Sequence, residues 1–349
     1  MKRALARAQG LFARGAMVGL FASVATTNLA CGGSTPAPVK PPPTPLHLAP
    51  ACDLAPAAGL EWIVAVTPRA IADVPDLIPT IARVVPEERF ASFAAAHGGI
   101  DLRRADDLCV ARYRRGGAEK SSTLSIVHGP IDPARLEKAF GERSSNNVER
   151  TITSQDPLVV RLAGSLDGER RELGLFGREL VVSSEGSPAL FHAAEAFAFG
   201  KLKRAQPALR GAALGRAAEV LGNAPVRVFF PGPFEGDTGK GLGGLLRAST
   251  AVATSASFGG APSKINVRLV LVGAWGSDAS SAAERLAAAI HVVSESGLGQ
   301  LFGLHRPVTA PSVKATDDAL ILDATIDGMA LARGLHDALD AEVTEIMGR

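Results

Sequence analysis

The chain has 349 residues, 46% of them apolar and 21% charged, with a mean hydropathy of +0.16. That suffices for one large hydrophobic core or two ordinary ones and excludes a disordered chain, a disulfide-dense miniature, collagen, a coiled coil and a polytopic membrane protein. Of 37 basic and 35 acidic residues, four basic and no acidic ones lie in residues 1–30, so the remainder has a formal net charge of −2. With 5% aromatics, such a chain lacks the electrostatic footprint of a nucleic-acid binder or a polybasic membrane-surface protein.

Lys2, Arg3, Arg7 and Arg14 precede the apolar stretch Gly15–Ala25, which closes on polar Thr26, Thr27 and Asn28. This is the three-part plan of a secretory signal peptide, read over residues 1–30. Gly15 to Ala30 falls short of the roughly 20 residues that span a bilayer as a helix, so a permanent transmembrane anchor is the weaker reading. The segment Asn28-Leu29-Ala30-Cys31-Gly32-Gly33-Ser34 resembles the lipobox of bacterial lipoproteins, with Asn28 where that family usually carries Leu. The resemblance implies a diacylglycerol on the Cys31 sulfur, cleavage before it and, from Gly32 in place of Asp, sorting to the outer membrane. The alternative is ordinary signal-peptidase cleavage near Ala30, with Cys31 incidental. Residues 34–50 hold seven prolines in 17 positions. They form no helix or central strand and, extended at ~3.1 Å per residue, reach about 50 Å, so residues 31–57 read as a tether.

Cys52 and Cys109 remain, an even pair in a compartment that permits disulfides. A bond between them closes a loop of about 57 residues, worth roughly 4 kcal/mol in the chain-entropy account. The alternative is two buried reduced thiols.

Two stretches of the chain then follow similar element orders. The first, residues 58–205, opens with a strand at Leu60–Val66 and continues through short helices divided by Pro75, Pro79 and Pro86, the last stopping at Gly98. Strands near 107–114 and 121–128 flank the turn Arg115–Lys120, and Asp132-Pro133 starts a helix to about Phe140. Strands near 148–153, 157–163 and 171–184 turn at Asp167-Gly168 and Gly177, and a helix from Ser187 to Phe199 follows. The second stretch, residues 206–349, begins with helical sequence to Leu221. A strand at Val226–Phe230, a short helix near 242–248 and a hairpin of strands 249–258 and 264–275 turning at Gly259–Pro262 come next. A helix after Asp278, strands near 311–316 and 319–326, and a final helix capped by Asp327 with Leu331, Leu335, Leu339 and Val343 in one row complete it. Alternation with one polar side predicts an α+β fold of two similar halves, each an antiparallel sheet with helices packed on one face. The layout resembles uncharacterised duplicated α+β domains of bacterial envelope lipoproteins, a resemblance that brings no known active site with it.

Gly239-Lys240-Gly241-Leu242-Gly243-Gly244 matches the dinucleotide fingerprint letter for letter, but the preceding strand ends about eight residues upstream and no acid follows at the required distance, so it reads as a loop. The seven histidines show no short zinc-type spacing. His97, before Gly98 at a helix end, is placed where a cation favours the helix dipole, and His128 is ambiguous, on the side of Leu124 and Ile126. No nucleophile elbow or Ser-x-x-Lys occurs. The sequence therefore predicts no cofactor, no metal and no catalytic residue. It predicts a lipid-anchored envelope protein whose domain binds a protein, lipid or glycan or serves a structural role, and no nucleic acid. An envelope hydrolase with scattered active-site residues and a lipid carrier with an apolar groove are the alternatives.

Overall fold

A computed structural model describes residues 45–337 except 116–120, 146, 167, 202–204, 260–263 and 335. Cys31, the tether up to residue 44, the turns at 116–120, 167 and 260–263, and Leu335, Leu339 and Val343 lie outside the described residues. The chain runs through β1 (Leu60–Val66), α1 (Pro68–Ala72), α2 (Ile78–Val84), α3 (Glu87–Ala96), β2 (Asp107–Arg114), β3 (Ser121–His128) and α4 (Pro133–Arg143). It continues with β4 (Glu149–Gln155), β5 (Leu158–Leu166), β6 (Glu169–Phe176), β7 (Leu180–Glu185), α5 (Pro188–Ala198) and α6 (Ala212–Leu221). Then come β8 (Val226–Pro231), α7 (Leu245–Ala248), β9 (Ser249–Phe258), β10 (Lys264–Gly273), α8 (Ala279–Glu295), α9 (Gly297–Leu301), β11 (Thr309–Ala315) and β12 (Ala319–Asp327).

Where the sequence predicts two sheets, the structure has one. Its twelve strands lie in the order β11-β12-β10-β9-β8-β1-β2-β3-β7-β6-β5-β4, and neighbours are antiparallel. The join is β1 against β8, with Ile63 opposite Phe229 and Val64 opposite Val228. Ile63 and Phe229 are fully buried, so a separation there would expose the centre of the core.

The helices also differ from expectation, because they cover both faces. On one face Ile63, Ala65, Cys109, Leu124, Val182 and Val270 pack under α5, α6 and a 3-10 turn at Ala51–Leu54. Opposite it are two separate clusters. Val160, Leu162, Leu173, Leu175 and Val181 meet Leu136 of α4 and Phe93 of α3, while Leu271, Leu320 and Leu322 meet Leu245 of α7 and Leu286 of α8. The physical reason is legible in the apolar runs Leu180-Val181-Val182 and Leu269-Val270-Leu271-Val272. Side chains alternate across a strand, so an uninterrupted apolar run must bury both faces.

The last residues of the expected tether belong to the fold. Leu46 and Leu48 pack against the core, the His47 N–H donates to the Ala198 carbonyl at 2.7 Å, and Cys52 is bonded to Cys109 of β2 with Cα atoms 5.1 Å apart. This segment also ties to the connection before α6. Ala57 N–H donates to Gln206 O at 2.9 Å, Ala208 N–H to Ala55 O at 2.8 Å, and Arg210 Nη2 to Asp53 Oδ2 at 2.9 Å. The sequence Gly239–Gly244 folds into 3-10 turns at Thr238–Lys240 and Leu242–Gly244, with Leu242 and Leu246 against the core beneath α8.

Both disulfide cysteines are almost fully buried. Alkylation without reductant should label neither of them, and Cys109→Ala should lower stability by about 2–4 kcal/mol in denaturant unfolding. On β6, a Cβ at Gly174 would run into Cε2 of Phe191, an α5 side chain whose ring is fully buried. Gly174→Ala should therefore destabilise by about 1–3 kcal/mol through overpacking, read as a lower denaturant midpoint.

Candidate functional site

A mainly apolar hollow lies between α3 and α4 above and β3, β7 and β6 below, with a volume of about 190 Å³. Its floor is made by strand register in three rows. Thr123 faces Glu185 and Glu185 faces Arg171; Ser125 faces Ser183 and Ser183 faces Leu173; Val127 faces Val181 and Val181 faces Leu175. The floor thus passes from charged to apolar in four residues, about 13 Å at ~3.3 Å per residue. The roof contributes Phe93 and Ala96 from α3, His97 just after it, and Leu136, Ala139, Phe140 and Arg143 from α4. Small floor residues at 123, 125 and 183 and alanines at 96 and 139 leave the space unfilled.

Local sequence places the roof. Asp132 caps α4 by accepting from the N–H groups of Ala134 and Arg135 at 3.1 and 3.3 Å, and Pro133 fits the first helical turn. Gly98 ends α3 at φ +62°, and a Cβ there would stand 2.6 Å from the backbone nitrogen of Leu136. The two helices therefore touch at the first turn of α4, which fixes His97 at the mouth of the hollow.

His97 is held at both ring nitrogens. Arg143 Nη1 donates to its Nε2 at 3.1 Å, so Nδ1 carries the hydrogen and donates to the Phe93 carbonyl at 2.8 Å. Its ring stacks on Phe93 with centroids 4.0 Å apart. Burial, and then the charges of Arg143 and Arg171, hold the imidazole below the ordinary histidine range, against the pull of the Phe93 carbonyl. The helix-end placement expected from sequence is observed, but the cationic form is disfavoured. Across the floor, Arg171 Nη2 donates to Glu185 Oε1 at 3.1 Å, and Arg171 Nε is buried with no partner.

The structure places His128 away from this hollow. It lines a shallow surface depression with Asp107, Asn223 and Arg227. There burial raises the Asp107 carboxyl above its usual range, opposed by the Ala51 N–H and by the charges of Arg227 and His128. His291 is exposed, and His192 is half exposed beside Glu195 at 3.8 Å. Among the described residues no group of three or more His, Cys, Asp or Glu side chains could hold a metal ion, and no helix is long and apolar enough to cross a membrane. Arg171, Glu185 and Arg143 are not singled out by sequence reasoning. Their only local signal is the polar alternation Ser121, Thr123, Ser125, which reads as a solvent face and is in fact the floor of a covered cleft.

The architecture defines a mixed α/β protein, one antiparallel sheet with helices on both faces and an amphipathic cleft at one wing. No family model matches the chain, and no curated protein matches it. Among solved structures it is similar to TP0453, a Treponema protein. Crystal form IV of that protein gives a TM-score of 0.46 at 11% identity over 80% of this chain and 94% of the other. Crystal form III gives 0.44 at 13% identity over 82% and 97%.

A folded-state pKa below the unfolded one means that the unfolded chain takes up the proton first, so His97 favours folding above the ordinary histidine value of ~6.5 and opposes it below. An NMR titration should place the His97 midpoint below that value, and Arg143→Met should move it upward. The denaturant midpoint of His97→Gln should change less between pH 7 and pH 5 than that of the parent chain; a His97 midpoint at or above the ordinary value would refute this.

Proposed function

We propose that this chain is an envelope lipoprotein, anchored at the outer membrane through a lipid on Cys31, whose folded domain binds a ligand and does not transform it. The observation that carries the binding reading is the cleft: an apolar hollow with charged groups gathered at one end is the general form of a small-molecule site. Binding is favoured over catalysis because His97, the titratable side chain best placed for acid–base work, has both ring nitrogens engaged.

The anchor rests on the charged leader, the short apolar stretch and Ala30-Cys31, and the Cys52–Cys109 disulfide suits the oxidising compartment that such a leader implies. Duplication is a further part of the proposal. Read outward from the β1–β8 join, the orders β1-β2-β3-β7-β6 and β8-β9-β10-β12-β11 support it, with β4 and β5 added only to the first half.

The expected result is a mature chain that begins at Cys31, carries acyl mass in intact mass spectrometry and partitions into detergent. Cys31→Ser should remove that partitioning. An unmodified Cys31 would overturn the anchor.

A further inference from the structure

The polarity of the cleft specifies the chemistry of its occupant. Arg143 and Arg171 bring two positive charges to the mouth, Glu185 brings one negative charge, and His97 is held neutral, so the mouth is cationic by one unit. Glu185 engages Arg171 through Nη2, while Arg171 Nε, buried, has no acceptor. A guanidinium with an unmet Nε–H beside a second arginine fits a carboxylate, whose two oxygens can accept from both side chains. Away from the mouth the lining is mainly apolar, with Val127, Val181, Leu173, Ile100, Leu136 and Phe140, and carries no second charged group, its polar groups there being the hydroxyls of Ser125, Ser183 and Ser144.

Size narrows the class further. A void of ~150 Å³ holds benzene, and this one, at about 190 Å³, is somewhat larger. It is too small for a two-chain glycerolipid, while the three floor rows give it the length of a short acyl chain.

We propose that the cleft binds a free single-chain carboxylate of about eight carbons, its headgroup against Arg171 and Arg143 and its chain over Ser125, Ser183, Leu173 and Val181. This rests on the reading of the cleft as the binding site. A chain of this length has its apolar carbons beside the apolar rows and its charge at the one cationic end, so orientation follows from the lining itself.

The test is calorimetry on the full chain carrying Cys31→Ser, titrated with octanoate, with octanol as the uncharged analogue and with acetate as the headgroup alone. Octanoate should bind at least about tenfold more tightly than octanol, in line with a charge-assisted pair, and acetate should not bind measurably. Arg171→Met should reduce octanoate to the octanol level and leave octanol unchanged, with octanol binding reporting that the cleft is still folded. Arg171→Lys should recover part of the preference. Arg143→Met is the second variant should Arg171→Met fail to fold, and the same selective loss is expected of it. Octanol binding as tightly as octanoate, or octanoate affinity unmoved by both arginine variants, would overturn the carboxylate assignment while leaving the cleft a binding site. If neither compound binds the parent chain, the cleft reading itself falls.

Discussion

The pairing of β1 with β8 is the constraint on which the rest of the structure depends. Ile63 and Phe229 face each other across it, fully buried, and through it two runs of strands become one sheet with one continuous core on the face beneath α5 and α6. Truncating either side chain would remove contacts worth about 2–5 kcal/mol from the middle of that core. The segment Leu46–Ala57 reinforces the join from the same face. It is bonded covalently to β2 through Cys52 and by backbone hydrogen bonds to Gln206 and Ala208 ahead of α6, so it spans both runs of strands. A segment that composition marks as a tether thus becomes a clamp, because its few apolar residues, Leu46, Leu48 and Leu54, find a core to enter.

With one face sealed, the opposite face is left to separate helix groups at the two wings. At the first wing the strands present serine and threonine where the second wing presents Leu271, Leu320 and Leu322. Helices α7 and α8 therefore close on their sheet, while α3 and α4, held apart from a floor of small polar residues and themselves lined by alanine, enclose a cleft. Electrostatics polarise it. Arg171 and Glu185 are opposed by register, and His97 and Arg143 are brought over them by the contact between Gly98 and the start of α4. Burial of a neutral histidine between two arginines keeps positive charge concentrated on the guanidiniums, where a carboxylate is best received.

Local signals in the sequence were sufficient for most elements. Asp132-Pro133 marks the start of α4, Gly98 the end of α3, Asp327 the cap after β12, and the alternation of Ile265–Leu269 a strand, because caps, turns and periodicity act over a few residues. The even pair Cys52 and Cys109 was legible for a similar reason, since an oxidising address and two remaining thiols point to one bond. The leader and Ala30-Cys31 are likewise read from residue order alone.

What only the tertiary structure decided is where faces meet. Alternation states that Thr123 and Ser125 share a side of β3; it cannot state whether water or a pair of helices lies over that side, since both leave the same pattern. Strand pairing between residues 63 and 229, and the gathering of His97, Arg143, Arg171 and Glu185, are contacts across tens to more than a hundred positions, decided by how whole layers pack. The sequence by itself marked most of the elements, the cysteine pair and the candidate anchor. The single sheet, the helices on both faces and the cleft with its charge at one end followed from packing, because burial is a property of neighbours and not of the order of residues.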